Sequence, residues 1–261
     1  MKRLFKHLAL GTALMAGSMA AHASYITVDG FSWDPASPIN FQANSAYYEA
    51  LATGPGTEVS GYGLITSFNT DTPPICAGCQ LAFKFSGYIE QNNLTDPVLT
   101  FTGGSLNLYV VPTGTVDALA GTGYDNGPLF LSLSAVSITN QYDFLAGIGA
   151  SLGLTGTLFS TYGTSGGNAG GYFDVTGGDA AGNFDTNSRT ALSSDGSTIL
   201  HPDITFTNSF QFLDNPGAFT SGATAQGSAD ITGVTIPEPA TLALMGLGLA
   251  GMGLSRRRRR S

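Results

Sequence analysis

The feature that most constrains this chain is a period-two alternation of apolar and polar residues, which belongs to strands with one buried face. Segment 204–212, ITFTNSFQF, alternates along its whole length. Segments 81–87 and 98–111 alternate in the same way. In the first segment the apolar face carries Ile204, Phe206, Phe210 and Phe212. The pattern predicts an all-β chain.

Glycine and proline indicate where the strands end. The chain has 36 glycines and 12 prolines, a composition that leaves little room for continuous helices. Gly103-Gly104 joins two alternating stretches and predicts a β-hairpin, because glycine readily adopts the positive φ angles of hairpin turns. Segment 141–162 is apolar enough for a helix, but its glycines favour two strands. We expect residues 24–235 to form a single antiparallel β-sandwich-like domain of about ten short strands.

The N-terminus has the three parts of a secretory signal peptide. A basic stretch, MKRLFKH, precedes an apolar stretch, and the small-x-small sequence AHA follows. This order predicts that residues 1–23 direct export and that a signal peptidase cleaves between Ala23 and Ser24.

Charge is sharply segregated along the chain. Residues 24–236 hold 17 acidic side chains and only two basic ones, Lys84 and Arg189, a net charge of −15. A surface of this kind repels phosphate backbones, so we predict no nucleic-acid partner. It suits an extracellular protein whose ligands are cations or neutral polymers such as polysaccharide.

Cys76 and Cys79 are the two cysteines of the chain. In an exported protein this pair predicts a small disulfide loop. A redox-active pair is the alternative, although such a site has its first thiolate at a helix N-terminus, and residues 80–85 alternate like a strand. Zinc would require a second pair of ligands, and the sequence offers none.

The remaining candidates for chemistry are weak. GTSGG at 163–167 matches the nucleophile-elbow pattern around Ser165, and His201 follows downstream, but no helix pattern follows the serine. A glycosidase would need two facing carboxylates, and no local spacing selects a pair. Segment 168–187 is rich in Asp, Asn and Gly and could wrap Ca²⁺ with loop oxygens. We expect a protein that is not an enzyme, with no metal or cofactor, and keep calcium as an alternative.

The last 26 residues, 236–261, differ from everything before them. Pro237 and Pro239 set an extended, exposed tripeptide with Glu238 between them. The fifteen uncharged residues 240–254 would form a helix about 22 Å long, short of a hydrocarbon core of about 30 Å. Five arginines, Arg256, Arg257, Arg258, Arg259 and Arg260, would hold the C-terminus in the cytoplasm. Together these parts predict a membrane anchor with a protease-accessible sequence beside it, either temporary or permanent.

This three-part order closely resembles the PEP-CTERM sorting signal of Gram-negative bacteria. The resemblance implies that a membrane exosortase recognises Pro237, Glu238 and Pro239, that residues 240–254 are a transient anchor, and that residues 256–260 stop transfer. It also implies a location at the cell surface or in the extracellular matrix, in association with exopolysaccharide. The body segments ANSAYYEAL, FTGGSLNLYVV and GGYFDVTGGDAAGNFDTN, and HPDITFTNSF after them, resemble PEP-CTERM proteins implicated in flocculation.

Three functions are compatible with these features. The first is a non-enzymatic matrix or surface protein that supports exopolysaccharide-associated aggregation, as in flocculation or biofilm. The second is a carbohydrate- or calcium-binding surface module exported by the same route. The third is a secreted glycoside hydrolase that uses two of the acidic residues.

Overall fold

The structure is a computed structural model. The predicted signal peptide, its cleavage site at Ala23 and Ser24, and the tail from Pro237 through Arg260 lie outside the described residues. Within the described ranges, no helix is long and apolar enough to cross a membrane. The residues described are 25–35, 37–69, 76–93, 98–139 and 155–236.

The described residues form short and long strands with very little helix. One helix, α1, spans Ala181–Phe184, and one 3-10 turn spans Pro216–Ala218. In chain order, the strands β1 to β17 are Ile26–Val28, Phe31–Trp33, Ile39–Ala50, Glu58–Leu64, Ser67–Phe68, Cys79–Glu90, Leu99–Thr102, Ser105–Pro112, Leu129–Ala135, Ile138–Thr139, Thr155–Gly156, Leu158–Tyr162, Gly166–Gly177, Ala191–Leu192, Ile199–Leu200, Ile204–Phe212 and Ala225–Gly233.

Eight strands close into one antiparallel, barrel-like sheet in the order β6-β4-β3-β17-β16-β13-β9-β8, and β8 pairs back with β6. The prediction of an all-β antiparallel domain is confirmed. The prediction of a sandwich is wrong, because a sandwich keeps two separate sheets whereas these inner faces enclose one interior. The prediction of about ten short strands is also wrong, because the described residues form 17 strands, and β3, β6 and β13 each run for 12 residues.

Strands β7 and β8 do not form the hairpin that Gly103-Gly104 predicted. Both pair with β6 and run in the same direction, with Ser105 opposite Ser86 and Thr102 opposite Ile89. They therefore form one strand that bends at the glycine pair. Both glycines have positive φ angles, 71° and 103°, so the conformation predicted for a turn occurs here in a kink. The kink lets β7 leave β8 and pair with β12, which in turn pairs with β13.

The interior follows the alternation read from the sequence. Ile204, Phe206 and Phe210 are buried, and so are Leu81, Phe83 and Phe85, as predicted. Phe212, predicted on the same face, is 37% exposed at the end of its strand. At one end of the closed sheet the β1–β2 hairpin and α1 contribute further aromatic rings. Trp33 of β2 is 1% exposed, and its ring centroid lies 5.4 Å from that of Phe184.

Two apolar clusters cover parts of the outer face of the closed sheet. One joins Phe159 and Tyr172 to the small strands β10, β14 and β15, through Ile138, Ala191 and Leu200. The other lies on β4, β6 and β8, where Tyr62, Ala82 and Val111 pack with Tyr124 of the loop after β8. Between these clusters the outer face of β12, β13, β16, β17 and β3 carries polar side chains.

Candidate functional site

The two cysteines lie at the start of β6. The structure joins Cys76 to Cys79, and Cys76 is 4% exposed. Their surroundings include Phe31, Ile65 and Phe68 of the core. In a redox-active pair the first cysteine lies at a helix N-terminus, which lowers the pKa of its thiol. Here a strand begins at Cys79. The location fits a structural disulfide.

Ser165 and His201 lie too far apart to act together. Ser165 belongs to the connection between β12 and β13, and its carbonyl oxygen accepts a hydrogen bond from the Phe212 N–H. His201 precedes Ile204, at the opposite end of β16. Strand β16 separates them by roughly 25 Å at the usual rise per residue. A strand also follows Ser165, whereas the nucleophile elbow needs a helix.

The segment proposed for calcium, 168–187, is divided between β13, α1 and their connections. In the described part of the chain, no group of three or more His, Cys, Asp or Glu residues could hold a metal ion. Asp174 lies among other acids, and its pKa is raised by burial and by the charges of Asp203 and Asp185. The structure offers no preformed cage for calcium among these residues.

Asp203 illustrates how the acidic residues here serve the fold. It is 2% exposed, and its carboxylate accepts hydrogen bonds from the backbone N–H groups of Val175, Thr186 and Asn187. These bonds hold the chain after α1 against the end of β13. Because three backbone donors are satisfied by this one buried side chain, Asp203 is a structural anchor.

A polar groove of about 750 Å³ lies on the outer face of five adjacent strands. Four of its residues occupy directly opposed positions in neighbouring strands: Thr161 faces Asn168, Asn168 faces Ser209, and Ser209 faces Ser228. At about 4.8 Å per strand, this row is roughly 15 Å long. Ser45 of β3 extends it, since its backbone N–H donates to the Ser228 hydroxyl at 3.0 Å. We call this surface the neutral groove; its lining is Ser45, Thr161, Gly163, Ser165, Gly166, Gly167, Asn168, Ser209, Phe210, Gln211, Gln226, Gly227 and Ser228.

A second row runs beside the first. Gly166 faces Gln211, and Gln211 faces Gln226, so two carboxamides flank the hydroxyl row. A Cβ atom at Gly166 would collide with the Phe210 carbonyl oxygen, so the strand pairing at this position requires glycine. The lining of the groove accordingly combines glycine positions with residues that carry side-chain amides and hydroxyls.

The electrostatics of the neutral groove differ from those of the rest of the molecule. Its described lining contains no Asp, Glu, Lys, Arg or His. Asp230 lies in the neighbouring outward row, opposite Thr207 and Gln42. The groove is therefore an uncharged strip on an acidic body. The sequence did not reveal it, because its lining comes from five strands that are distant in the chain.

A buried polar chain lies on the inner side of the same strands. The Tyr47 hydroxyl donates to a Glu49 carboxyl oxygen, and the Asn208 side-chain amide donates to the Tyr47 hydroxyl at 2.7 Å. Asn208 also accepts a hydrogen bond from the Ala169 N–H at 2.6 Å. Burial raises the pKa of Glu49, and the hydrogen bond from Tyr47 lowers it by less, so the pKa is about 8.

Comparison with known families supports the predicted export route. Residues 235–260 match the family described as PEP-CTERM protein-sorting motif. No curated protein and no solved structure matches the chain. The molecule thus belongs to the class of exported β proteins that end in a C-terminal sorting signal.

More specifically, the chain carries a PEP-CTERM protein-sorting motif. The motif implies processing by exosortase, a membrane protein, and delivery through the membrane of a Gram-negative bacterium to the surface or extracellular space. The predicted resemblance of the body to flocculation-associated proteins receives no support from these comparisons.

Proposed function

We propose that this chain is a non-enzymatic cell-surface or matrix protein that supports exopolysaccharide-associated aggregation, such as flocculation or biofilm. The observation that carries the proposal is the sorting motif at residues 235–260 attached to an acidic β domain. The motif supplies an export route, and the acidic domain favours solubility and, as ligands, cations or neutral polymers. Exosortase and extracellular polysaccharide are the proposed partners.

A structural role is favoured over catalysis by the positions of the polar residues. Ser165 and His201 stand at opposite ends of β16, and Asp203 is fully engaged by backbone N–H groups. A glycoside hydrolase needs two carboxyl groups across a cleft, and the described lining of the neutral groove carries none.

A carbohydrate-binding surface module is the second candidate function. The specific observation in its favour is the neutral groove, whose hydroxyls and carboxamides converge on an open concave surface. The two candidates are compatible, because a matrix protein that aggregates cells needs some surface that contacts the polymer.

The test of the proposed function is a deletion strain compared with a strain complemented by the full chain. We expect deletion to reduce settling of the cells and the amount of polysaccharide retained on them, and complementation to restore both. A deletion strain that settles normally and retains its polysaccharide would refute the proposed function. A chain without residues 237–261 serves as a second comparison, because it keeps the β domain and lacks the sorting signal.

A further inference from the structure

We infer that the neutral groove binds an extended, uncharged polysaccharide strand laid across β12, β13, β16, β17 and β3. This inference rests on the proposed function, and it deepens it by naming the site and the chemical class of the ligand. It concerns binding alone and involves no covalent step.

The polar side chains of the groove are available to a ligand. Asn168, Ser209, Gln211 and Gln226 are exposed, and their side chains make no hydrogen bond within the described part of the chain. Each carboxamide offers two N–H donors and an acceptor oxygen, and each hydroxyl donates and accepts. Sugar hydroxyls have the same dual capacity, so every group in the row can pair with a sugar hydroxyl in some orientation.

The spacing of the row suits a repeating ligand. Opposed residues on neighbouring strands are about 5 Å apart, so the row from Thr161 to Ser228 presents polar groups at regular intervals. At its far end β3 and β17 change register between Gly227 and Ala229, and Ser45 has a φ of 54°. This bulge turns Ser45 toward Ser228 and lengthens the row onto a fifth strand.

Charge selects against anionic polymers. The groove offers no described cation to pair with a carboxylate or sulfate, and Asp230 in the neighbouring row adds a negative charge. The body as a whole carries −15 over residues 24–236. An uronic-acid or sulfated polymer would be repelled, whereas a neutral strand would pay no such electrostatic cost.

A peptide strand fits the groove less well than a glycan. Peptides that bind sheets usually add to a free edge, but β13, β16 and β17 are each paired on both sides in this region. Strand β12 pairs with β7 as far as Ser160. The groove is a sheet face, so it presents side chains to a ligand in place of unpaired backbone groups.

The test measures binding of full-length protein, purified in detergent, to immobilised dextran, galactomannan and mixed-linkage β-glucan, with alginate as the anionic comparison. We expect saturable binding to at least one neutral polymer and none to alginate. The double variant Gln211→Ala/Gln226→Ala removes two carboxamides and is expected to weaken binding about tenfold or more. The matched control Gln80→Ala/Gln91→Ala changes two glutamines outside the groove and should bind like the wild type.

A second variant separates binding from folding. Ser209→Val removes a hydroxyl from the centre of the row while it adds a residue that favours strands, so we expect weaker binding with unchanged or higher thermal stability. Binding to alginate alone, binding to none of the polymers, or groove variants that bind like the wild type would each overturn the inference.

The outcomes for the two proposals are distinguishable. Groove variants that lose polysaccharide binding in a strain that still aggregates would support the site and refute the aggregation role. A deletion that abolishes aggregation, together with groove variants that bind normally, would do the reverse.

Discussion

Glu49 lies inside the closed sheet, where one carboxyl oxygen contacts the Tyr47 hydroxyl and the other has no partner among the described residues. A charged carboxylate in this setting would be poorly solvated, which is why burial raises its pKa to about 8. The residue is therefore protonated in the folded protein at neutral pH, and it becomes ionised in the unfolded chain. The alternation of β3 places Glu49 on the inner face with Tyr47, a position that the sequence pattern could have identified.

The raised pKa of Glu49 predicts that the protein loses stability as the pH rises. Between about pH 4.5 and pH 8 the folded state holds a proton that the unfolded state has released, so the free energy of unfolding falls with increasing pH. The loss attributable to Glu49 is at most about 5 kcal/mol over that window. Urea unfolding at several pH values measures it.

The variant Glu49→Gln should lack this part of the pH dependence, since its amide does not ionise and its carbonyl still accepts the Tyr47 hydrogen bond. Glu58→Gln is the matched control, because Glu58 is exposed and accepts a hydrogen bond from the Gly87 N–H. Glu49→Gln and wild-type profiles of equal slope would show that Glu49 is ionised in the folded state.

At the scale of the element, sequence patterns predicted strands well and their partners poorly. The alternation of 204–212 and 81–87 identified the buried faces correctly except at Phe212, because it is a local consequence of strand geometry. Gly103-Gly104 was assigned to a hairpin, yet positive φ angles occur in a turn and in a kink alike. What decides between them is the pairing of β7 and β8 with β6, and pairing is a long-range property that one glycine pair does not encode.

We expect a side chain at Gly104, in the kink between β7 and β8, to destabilise the protein strongly. A Cβ atom there would collide with the ring of Tyr88, which is 2% exposed and cannot move aside. Gly104 also has a φ of 103°, which L-residues rarely adopt. We expect Gly104→Ala to lower the free energy of unfolding by about 3 kcal/mol or more.

Gly114→Ala is the matched control, because Gly114 has a φ of 80° and nothing lies within 4 Å of its added Cβ atom. It carries the conformational cost without the collision, and we expect about 1 kcal/mol. Thermal or urea unfolding of both variants gives the difference. Equal losses would mean that Tyr88 yields to the new methyl group and that close packing at the kink contributes little.

At the scale of the whole molecule, closure of the sheet and the neutral groove both depend on pairing between strands that are distant in the sequence. The ring closes through the pairing of β8 with β6, and the groove forms where β12, β13, β16 and β17 align in register. Thr161, Asn168, Ser209 and Ser228 are unremarkable polar residues in the sequence, and only their common register makes them a surface. The sequence predicted the solvent-facing side of 204–212 but not its neighbours.

The segregation of charge adds a prediction about the working form of the molecule. The sorting motif at 235–260 contains all five arginines of the tail, so processing at the tripeptide would change the net charge as well as the length. A chain from Ser24 to Ile236 carries −15, whereas the full chain carries −8.

We expect the intact mass of the protein recovered from culture medium to correspond to a chain that begins at Ser24 and ends near Pro237–Pro239. Membranes should hold a minor form that extends to Ser261 as the precursor, because the apolar segment anchors the chain only until it is cut. An uncut C-terminus in every fraction would identify a permanent inner-membrane tether, and the acidic domain would then act at that membrane and not in the matrix.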